Sequence, residues 1–219
     1  MAALLLMVAA GSGSRLGRPE PKALVPLAGR PILSWALDAF LPISLVRIVV
    51  TAPQDRVEEF SRVAGPRVTV VAGGKTRSVS VRRGFEALAA ADGDIVAIHD
   101  AARPFVTAQE IAAVLQAAEK TGAAIAATPV VDTIKRAANG RILETVRRDD
   151  LFGAATPQAF RADLLRRALD SGEEATDEAA LCERLGIPVA IVPVSRFSFK
   201  ITSLEDLELA EAILTRRGR

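Results

Sequence analysis

Ala3-Leu4-Leu5-Leu6-Met7-Val8, followed at once by Ala9-Ala10-Gly11-Ser12-Gly13-Ser14-Arg15-Leu16-Gly17-Arg18-Pro19-Glu20-Pro21-Lys22, is the stretch on which the fold turns. Six apolar residues without alternation read as a strand covered on both faces, the habit of parallel sheets sandwiched between helices. The small residues behind them form a loop at the strand's carboxyl end, the edge at which open α/β sheets bind ligands. Residues 1–14 carry no charge and are rich in Ala, as a secretory leader would be. They lack a basic start and run straight into the Gly/Ser loop, so the segment is read as a buried first strand.

Further apolar runs at 46–51, 68–71, 95–99, Ala123–Pro129 and 189–194 are candidate strands. Helical stripes lie between them: Ile32, Leu33, Ala36, Leu37 and Phe40; then Val81, Phe85 and Leu88; then Ile111, Val114, Leu115 and Ala118. Pro31 suits a first helical turn, Thr107 with Glu110 makes a capping box, and Ser203 precedes a last helix striped by Leu204, Leu207 and Leu214. The alternation predicts an α/β, Rossmann-like fold, a mostly parallel twisted sheet with helices on both faces. It breaks between Asp132 and Thr156. There, segments 133–136 and 142–146 around Asn139-Gly140 read as a protruding β-hairpin arm. With charges on both legs, such an arm has little to bury alone and is expected to pack on a neighbour or a second subunit; an ordinary surface excursion is the alternative. Residues 1–219 are thus read as a single domain with 132–156 as an arm insertion for dimerisation.

At 219 residues, half of them apolar, the chain has material for one full core. Its 28 basic and 26 acidic residues are spread evenly, which gives nucleic-acid binding no support and leaves room for a local anion pocket. No charge-free run approaches a membrane span. Cys182, the single cysteine, excludes internal disulfides, fits a reducing cytoplasm, and is read as a small buried helix residue. His99 alone cannot build a His-based metal site and is read as a packed residue with a satisfied ring. No Ser–His–Asp set, cysteine nucleophile or paired-carboxylate motif competes.

The loop after the first strand has its own chemistry. Ala, Gly and Ser let backbone N–H groups approach phosphate oxygens closely. Arg15 and Lys22 add two full charges, and Pro19 and Pro21 stiffen the stretch leading to Lys22. The dinucleotide fingerprint fails because its third glycine is Leu16, and the Walker loop, imitated by Gly74-Lys75-Thr76, fails because its first glycine is Thr69. A plain flexible turn is the bland alternative, and the charged pair speaks against it.

Ala9-Ala10-Gly11-x-Gly13-x-Arg15 with Pro21-Lys22 resembles the signature of sugar-nucleotide pyrophosphorylases and cytidylyltransferases. Gly73-Gly74-x-x-Arg77-x-x-Ser80-Val81, His99-Asp100-Ala101-Ala102-Arg103-Pro104, Asp132-Thr133-x-Lys135, Thr156-Pro157-Gln158, Thr176-Asp177-Glu178-Ala179 and Lys200-Ile201-Thr202 follow in order. Together they resemble the 2-C-methyl-D-erythritol 4-phosphate cytidylyltransferase family of the non-mevalonate isoprenoid pathway. The resemblance implies CTP and a small polyol phosphate as substrates and Mg²⁺ as cofactor. It also implies a homodimer joined through the 132–156 arm. By the same resemblance Arg15, Lys22 and Lys200 are catalytic. Ala9, Ala10, Gly11, Gly74, Ser80 and Ala101 hold the nucleotide. Lys75 stands at a ribose-facing position that is often acidic in the family. Asp100, Arg103, Thr133, Arg148, Thr156 and Thr176 are implied to hold the acceptor, Thr133 and Arg148 reaching across to the partner's site. From chemistry alone, Asp100 suits polyol hydroxyls or metal-bound water and Arg103 suits bidentate phosphate, while a simple Asp–Arg surface pair remains the alternative. A cytidylyltransferase for another acceptor such as ribitol 5-phosphate, a non-catalytic nucleotide-binding regulator, and, more remotely, a dehydrogenase remain as other readings.

Overall fold

The computed structural model describes residues 1–216 apart from Ser12, Ser14, Arg15 and Pro19. In chain order the strands are β1 (Ala3–Val8), β2 (Pro26–Leu27), β3 (Arg30–Pro31), β4 (Arg47–Ala52), β5 (Thr69–Ala72), β6 (Ile95–Asp100), β7 (Ala123–Pro129), β8 (Ile134–Ala138), β9 (Arg141–Val146), β10 (Phe152–Arg161) and β11 (Ala190–Pro193). The helices are α1 (Ile32–Asp38), α2 (Val57–Ala64), α3 (Arg77–Leu88), α4 (Ala108–Thr121), α5 (Ala162–Asp170), α6 (Glu178–Arg184) and α7 (Leu204–Arg216).

Among the described residues a seven-stranded sheet runs in the order β11-β7-β10-β6-β1-β4-β5. All neighbours are parallel except β10, which is antiparallel to both β6 and β7. The first strand has the bounds read from sequence, and its pleat explains why no polar residue interrupts it. Leu5 and Met7 enter the layer with Leu33, Phe60 and Ile111 from α1, α2 and α4 and with Phe40 just after α1, whereas Leu4 and Leu6 enter the layer with Val81, Phe85, Leu165 and Cys182 from α3, α5 and α6. Each fully buried side chain of this size contributes about 1.5–3 kcal/mol of hydrophobic free energy, so a two-sided strand tolerates no charge. A third cluster joins α7, through Leu207, Ala210 and Leu214, to Leu16, Leu27 and Ile201.

The sequence reading missed β10. Ten residues that include Gly153, Pro157 and Gln158 read poorly as a central strand, and Pro is ordinarily excluded from one. The fold accommodates it at an irregularity: the register with β7 shifts between Ala154 and Gln158, where the ladder is interrupted. The stretch 152–156 therefore starts a central strand, and the part that stands apart is the two-stranded β8–β9 ribbon. Asn139 and Gly140 both have positive φ (49° and 73°), as a type I′ hairpin turn requires. Pro31 sits at the N-cap of α1 with extended ψ of 140°, one position earlier than expected. Thr107 and Glu110 form the full capping box. Leu204 is exposed, so the buried stripe of α7 is Leu207, Ala210 and Leu214. No helix among the described residues is long and apolar enough to cross a membrane.

Candidate active site

The carboxyl ends of β1, β4, β5 and β6 are laced together by backbone bonds. Ala9 N–H donates to Thr51 O (3.0 Å), Gly73 N–H to Ala52 O (2.8 Å) and Ala101 N–H to Val8 O (3.1 Å). Over this edge lies a cavity of about 450 Å³. Glycine is required at and just behind one wall. A Cβ on Gly73 would lie 2.6 Å from Ala10 Cβ and 2.8 Å from Ser80 Oγ, and one on Gly74 would lie 2.1 Å from Val79 Cγ1. Gly13, at φ +69°, folds the first loop back onto Lys22, whose Cβ would stand 2.8 Å from any Cβ there. That close approach brings Lys22 to the cavity beside Ala9, Ala10 and Gly11.

Ser80 is buried at the start of α3. Its hydroxyl accepts the Gly74 N–H and donates to Thr76 O, both at 3.0 Å, while Thr76 Oγ1 caps the helix by accepting the Val79 N–H. With its proton committed to Thr76, Ser80 has only lone-pair density to offer a ligand. Lys75, Gly74 and Ala101 complete this side of the cavity.

Opposite stands a charge cluster centred on Asp100. Lys200 Nζ donates to Asp100 Oδ2 (2.8 Å), Arg77 Nε lies 3.6 Å from Oδ1, and Arg103 Nε lies 3.9 Å from Oδ2. Burial alone would raise the carboxyl's pKa, but Lys200, Arg77 and Arg103 outweigh it and hold Asp100 down at about 2. Arg77 is itself gripped by both oxygens of Glu178, at 2.7 and 2.9 Å from Nη1. The backbone of Asp100 is fixed from behind. Its N–H donates to Thr156 Oγ1 (3.0 Å), Thr156 donates to His99 Nδ1 (3.0 Å), and His99 Nε2–H donates to Arg103 O (3.1 Å). This chain sets the neutral tautomer, and burial pushes the His99 pKa down to about 4.

A glycine-lined cavity on a Rossmann-like edge, faced by Asp100 and Lys200, narrows the family, and comparison with known proteins closes the question. The sequence profile of 2-C-methyl-D-erythritol 4-phosphate cytidylyltransferase matches residues 3–216. The chain belongs to that family. The enzyme of that name from Halalkalibacterium halodurans is 41% identical over 98% of both chains, and that from Rubrobacter xylanophilus is 43% identical over 99% of this chain and 96% of its own. The crystal structure of the Thermus thermophilus enzyme superposes with a TM-score of 0.84 at 36% identity, covering 98% of this chain and 100% of that one.

Within this cytidylyltransferase-family fold, Ala9, Ala10, Gly11, Lys22, Gly74, Lys75, Ser80, Asp100, Ala101 and Lys200 all meet at the one cavity. Arg15 lies outside the described residues. The other expected acceptor residues stand apart from that cavity. Arg103, expected to hold phosphate with its fork, donates from Nη1 to Ser198 O (2.9 Å) and borders a smaller cavity of about 280 Å³ with Arg196, Thr128 and Lys200. Thr156 is buried, its hydroxyl bonded between the Asp100 N–H and His99 Nδ1. Thr133, Arg148 and Thr176 are exposed and line neither cavity. Arg148 Nη1 bonds Val131 O, bracing the base of the hairpin. Reasoning from sequence gave no role to Arg77 or Glu178, although both stood in the motifs. Asp177-Glu178 looks like an N-cap and a solvated first-turn acid, and Asp177 Oδ1 does accept the Ala180 N–H. Nothing in the sequence pairs Glu178 with an arginine 101 positions away.

Proposed function

We propose that this chain transfers CMP from CTP to 2-C-methyl-D-erythritol 4-phosphate, releasing pyrophosphate and giving 4-diphosphocytidyl-2-C-methyl-D-erythritol. The observation behind this is the meeting of Lys22, Asp100 and Lys200, from three distant parts of the sequence, on one cavity whose other wall is bare backbone.

A phosphate oxygen of the acceptor attacks the α-phosphorus of CTP in line; the new P–O bond forms as the bond to the β-phosphate oxygen breaks, and pyrophosphate leaves. Both reactants are anions, so the protein's task is alignment and charge compensation rather than covalent catalysis. Lys22 stabilises charge on the α-phosphate and leaving group, joined in this role by Arg15, on resemblance, and by Lys200. Neutral backbone at Ala9, Ala10 and Gly74 and the acceptor-only hydroxyl of Ser80 face the base, an arrangement that suits the amino group of cytosine better than the carbonyl of uracil. Gly11, Lys75 and Ala101 border the ribose. Asp100, fixed at its backbone and kept ionised, accepts from polyol hydroxyls.

Mg²⁺ belongs to this reading. Among the described residues no group of three or more His, Cys, Asp or Glu stands together, and Asp100 is the one carboxylate bordering the cavity. The residues therefore fit an ion whose ligands would be triphosphate oxygens and waters, with Asp100 reaching it only through those waters. Such an ion supplies charge neutralisation between the phosphates. We further propose a cytoplasmic homodimer, supported by a single buried cysteine and by a hairpin that exposes Ile142 and Leu143 without a partner surface among the described residues.

The test is pyrophosphate release from each of the four ribonucleoside triphosphates, with methylerythritol phosphate or ribitol 5-phosphate and Mg²⁺. Release with CTP and methylerythritol phosphate alone is expected. Turnover with ribitol 5-phosphate instead, or nucleotide binding with no turnover, rejects the proposal.

A further inference from the structure

The mechanism above leaves unused one buried ion pair at the site. Glu178 is 2% exposed, opens α6, and grips Arg77 of α3 with both carboxylate oxygens. Burial pushes the carboxyl of Glu178 up in pKa while Arg77 opposes it. Burial would likewise lower Arg77, but Glu178 and Asp100 outweigh it and raise its pKa. Placing a carboxylate there without its cation would be costly, and a pair retained at such a depth calls for a reason beyond stability. Its position supplies one. Arg77 borders the cavity, and its Nε stands 3.6 Å from Asp100 Oδ1, near enough for charge to act and too far for a hydrogen bond.

The two oxygens of Asp100 thus have different partners. Oδ2 takes the short bond from Lys200, and Oδ1 faces Arg77. In the proposed reaction Lys200 is also a ligand for phosphate, and a lysine cannot serve both anions at full strength. We infer that Arg77, anchored by Glu178, is a positioning residue that compensates and orients Asp100 so that Lys200 can turn toward the phosphates. This rests on the functional reading just given and adds to it a residue pair that touches the reaction only through Asp100. The groups facing Asp100 from every packed element are Lys200 after β11, Arg77 of α3, Arg103 after β6, the Thr156 hydroxyl of β10, and, one layer out, His99 and Glu178. Of these, Arg77 is the cation held by a second, buried carboxylate, which prevents it from following the phosphates as Lys200 does.

A double-mutant cycle tests the pair. Arg77→Gln is expected to lower kcat at least about tenfold with a smaller change in the KM for CTP, and to cost less than about threefold when added to Asp100→Asn, because no charge is then left to compensate. Arg77→Lys should recover most of the lost kcat. Glu178→Gln, which preserves the anchor's shape, should show the same dependence on Asp100 and carries the comparison if Arg77→Gln melts below the assay temperature. Equal factors in both backgrounds, or an undiminished kcat, would overturn the inference. A second measurement needs no turnover: the ¹³C carboxylate titration of Asp100 in the ligand-free protein should move upward from about 2 in Arg77→Gln. An unmoved midpoint rejects the pair's role even if the enzyme proves to use another acceptor, whereas a moved midpoint with no cytidylyl transfer by wild type rejects only the functional reading.

Discussion

His99 shows what a single residue contributes when it never meets the substrate. Its ring is fully buried, edge-on to Phe40 at 5.0 Å between centroids, and both nitrogens are bonded. Sequence reading anticipated a packed, satisfied histidine but not that its two partners, Thr156 and Arg103 O, fix the backbone on either side of Asp100. Charging the ring would force a second proton onto Nδ1, where Thr156 now donates. The pKa is therefore depressed from 6.5 to about 4, so the stability it gives is complete above pH 6.5 and is lost as pH falls toward 4. Between pH 7 and pH 4.5 this amounts to about 2 kcal/mol by proton linkage. Glu178, pushed upward by burial, acts in the opposite sense over part of that range, so the contribution must be isolated by difference. Urea unfolding of wild type and His99→Gln should show their stability gap narrowing by about that amount on acidification. A gap independent of pH would mean that the ring is charged or exposed in the native state.

At the scale of elements, the site is made by strand ends and the first turns that follow them, and legibility in the sequence followed the same division. β1, with its six unbroken apolar residues, and α4, with its capping box, could be read because their periodicity and capping are local. The cradle could be read for the same reason, since Ala9 to Lys22 and Gly73 to Ser80 are each continuous. β10 could not, because what stabilises its Gly153, Pro157 and Gln158 is contact with β6 and β7, nonlocal in sequence, and Gln158 Nε2 donates to Asp177 Oδ2 (2.8 Å). The Arg77–Glu178 pair was hidden likewise. The cradle's glycines are the sharper test of the element argument. In Gly73→Ala the new methyl meets Ala10 Cβ, which cannot withdraw, and Ser80 Oγ, which could turn away only by giving up its bonds to Gly74 N–H and Thr76 O, so β5 and α3 must part. Overpacking of this kind costs about 1–3 kcal/mol. Calorimetric titration should show at least about tenfold weaker CTP binding, with Tm lowered by several degrees. CTP affinity equal to wild type would show that the nucleotide does not lie against this wall.

For the whole molecule, the decisive question is whether one chain completes its own site. Lys22 and Lys200 border the cavity, but Thr133 and Arg148, assigned to the acceptor by resemblance, stand on or beside the β8–β9 ribbon with exposed side chains, and the ribbon pairs with no strand of the main sheet. A two-stranded ribbon presenting Ile142 and Leu143 to water is marginal by itself, and an isologous dimer would bury it while delivering each arm to the opposite cavity. Reciprocal exchange has an arithmetic consequence. Lys22→Ala should cost on the order of 3 kcal/mol in barrier, roughly a hundredfold in kcat, and Arg148→Ala should cripple acceptor binding. If the arm crosses, a mixed dimer of the two variants holds one doubly damaged site and one intact site. Unfolding and refolding an equimolar mixture makes half the dimers mixed, so about one quarter of wild-type activity should return. If each chain supplies its own Arg148, every site retains one lesion and the mixture stays as inactive as its components. Sedimentation at assay concentration completes the test, since a fully active monomer would leave the exposed arm without the role given to it here.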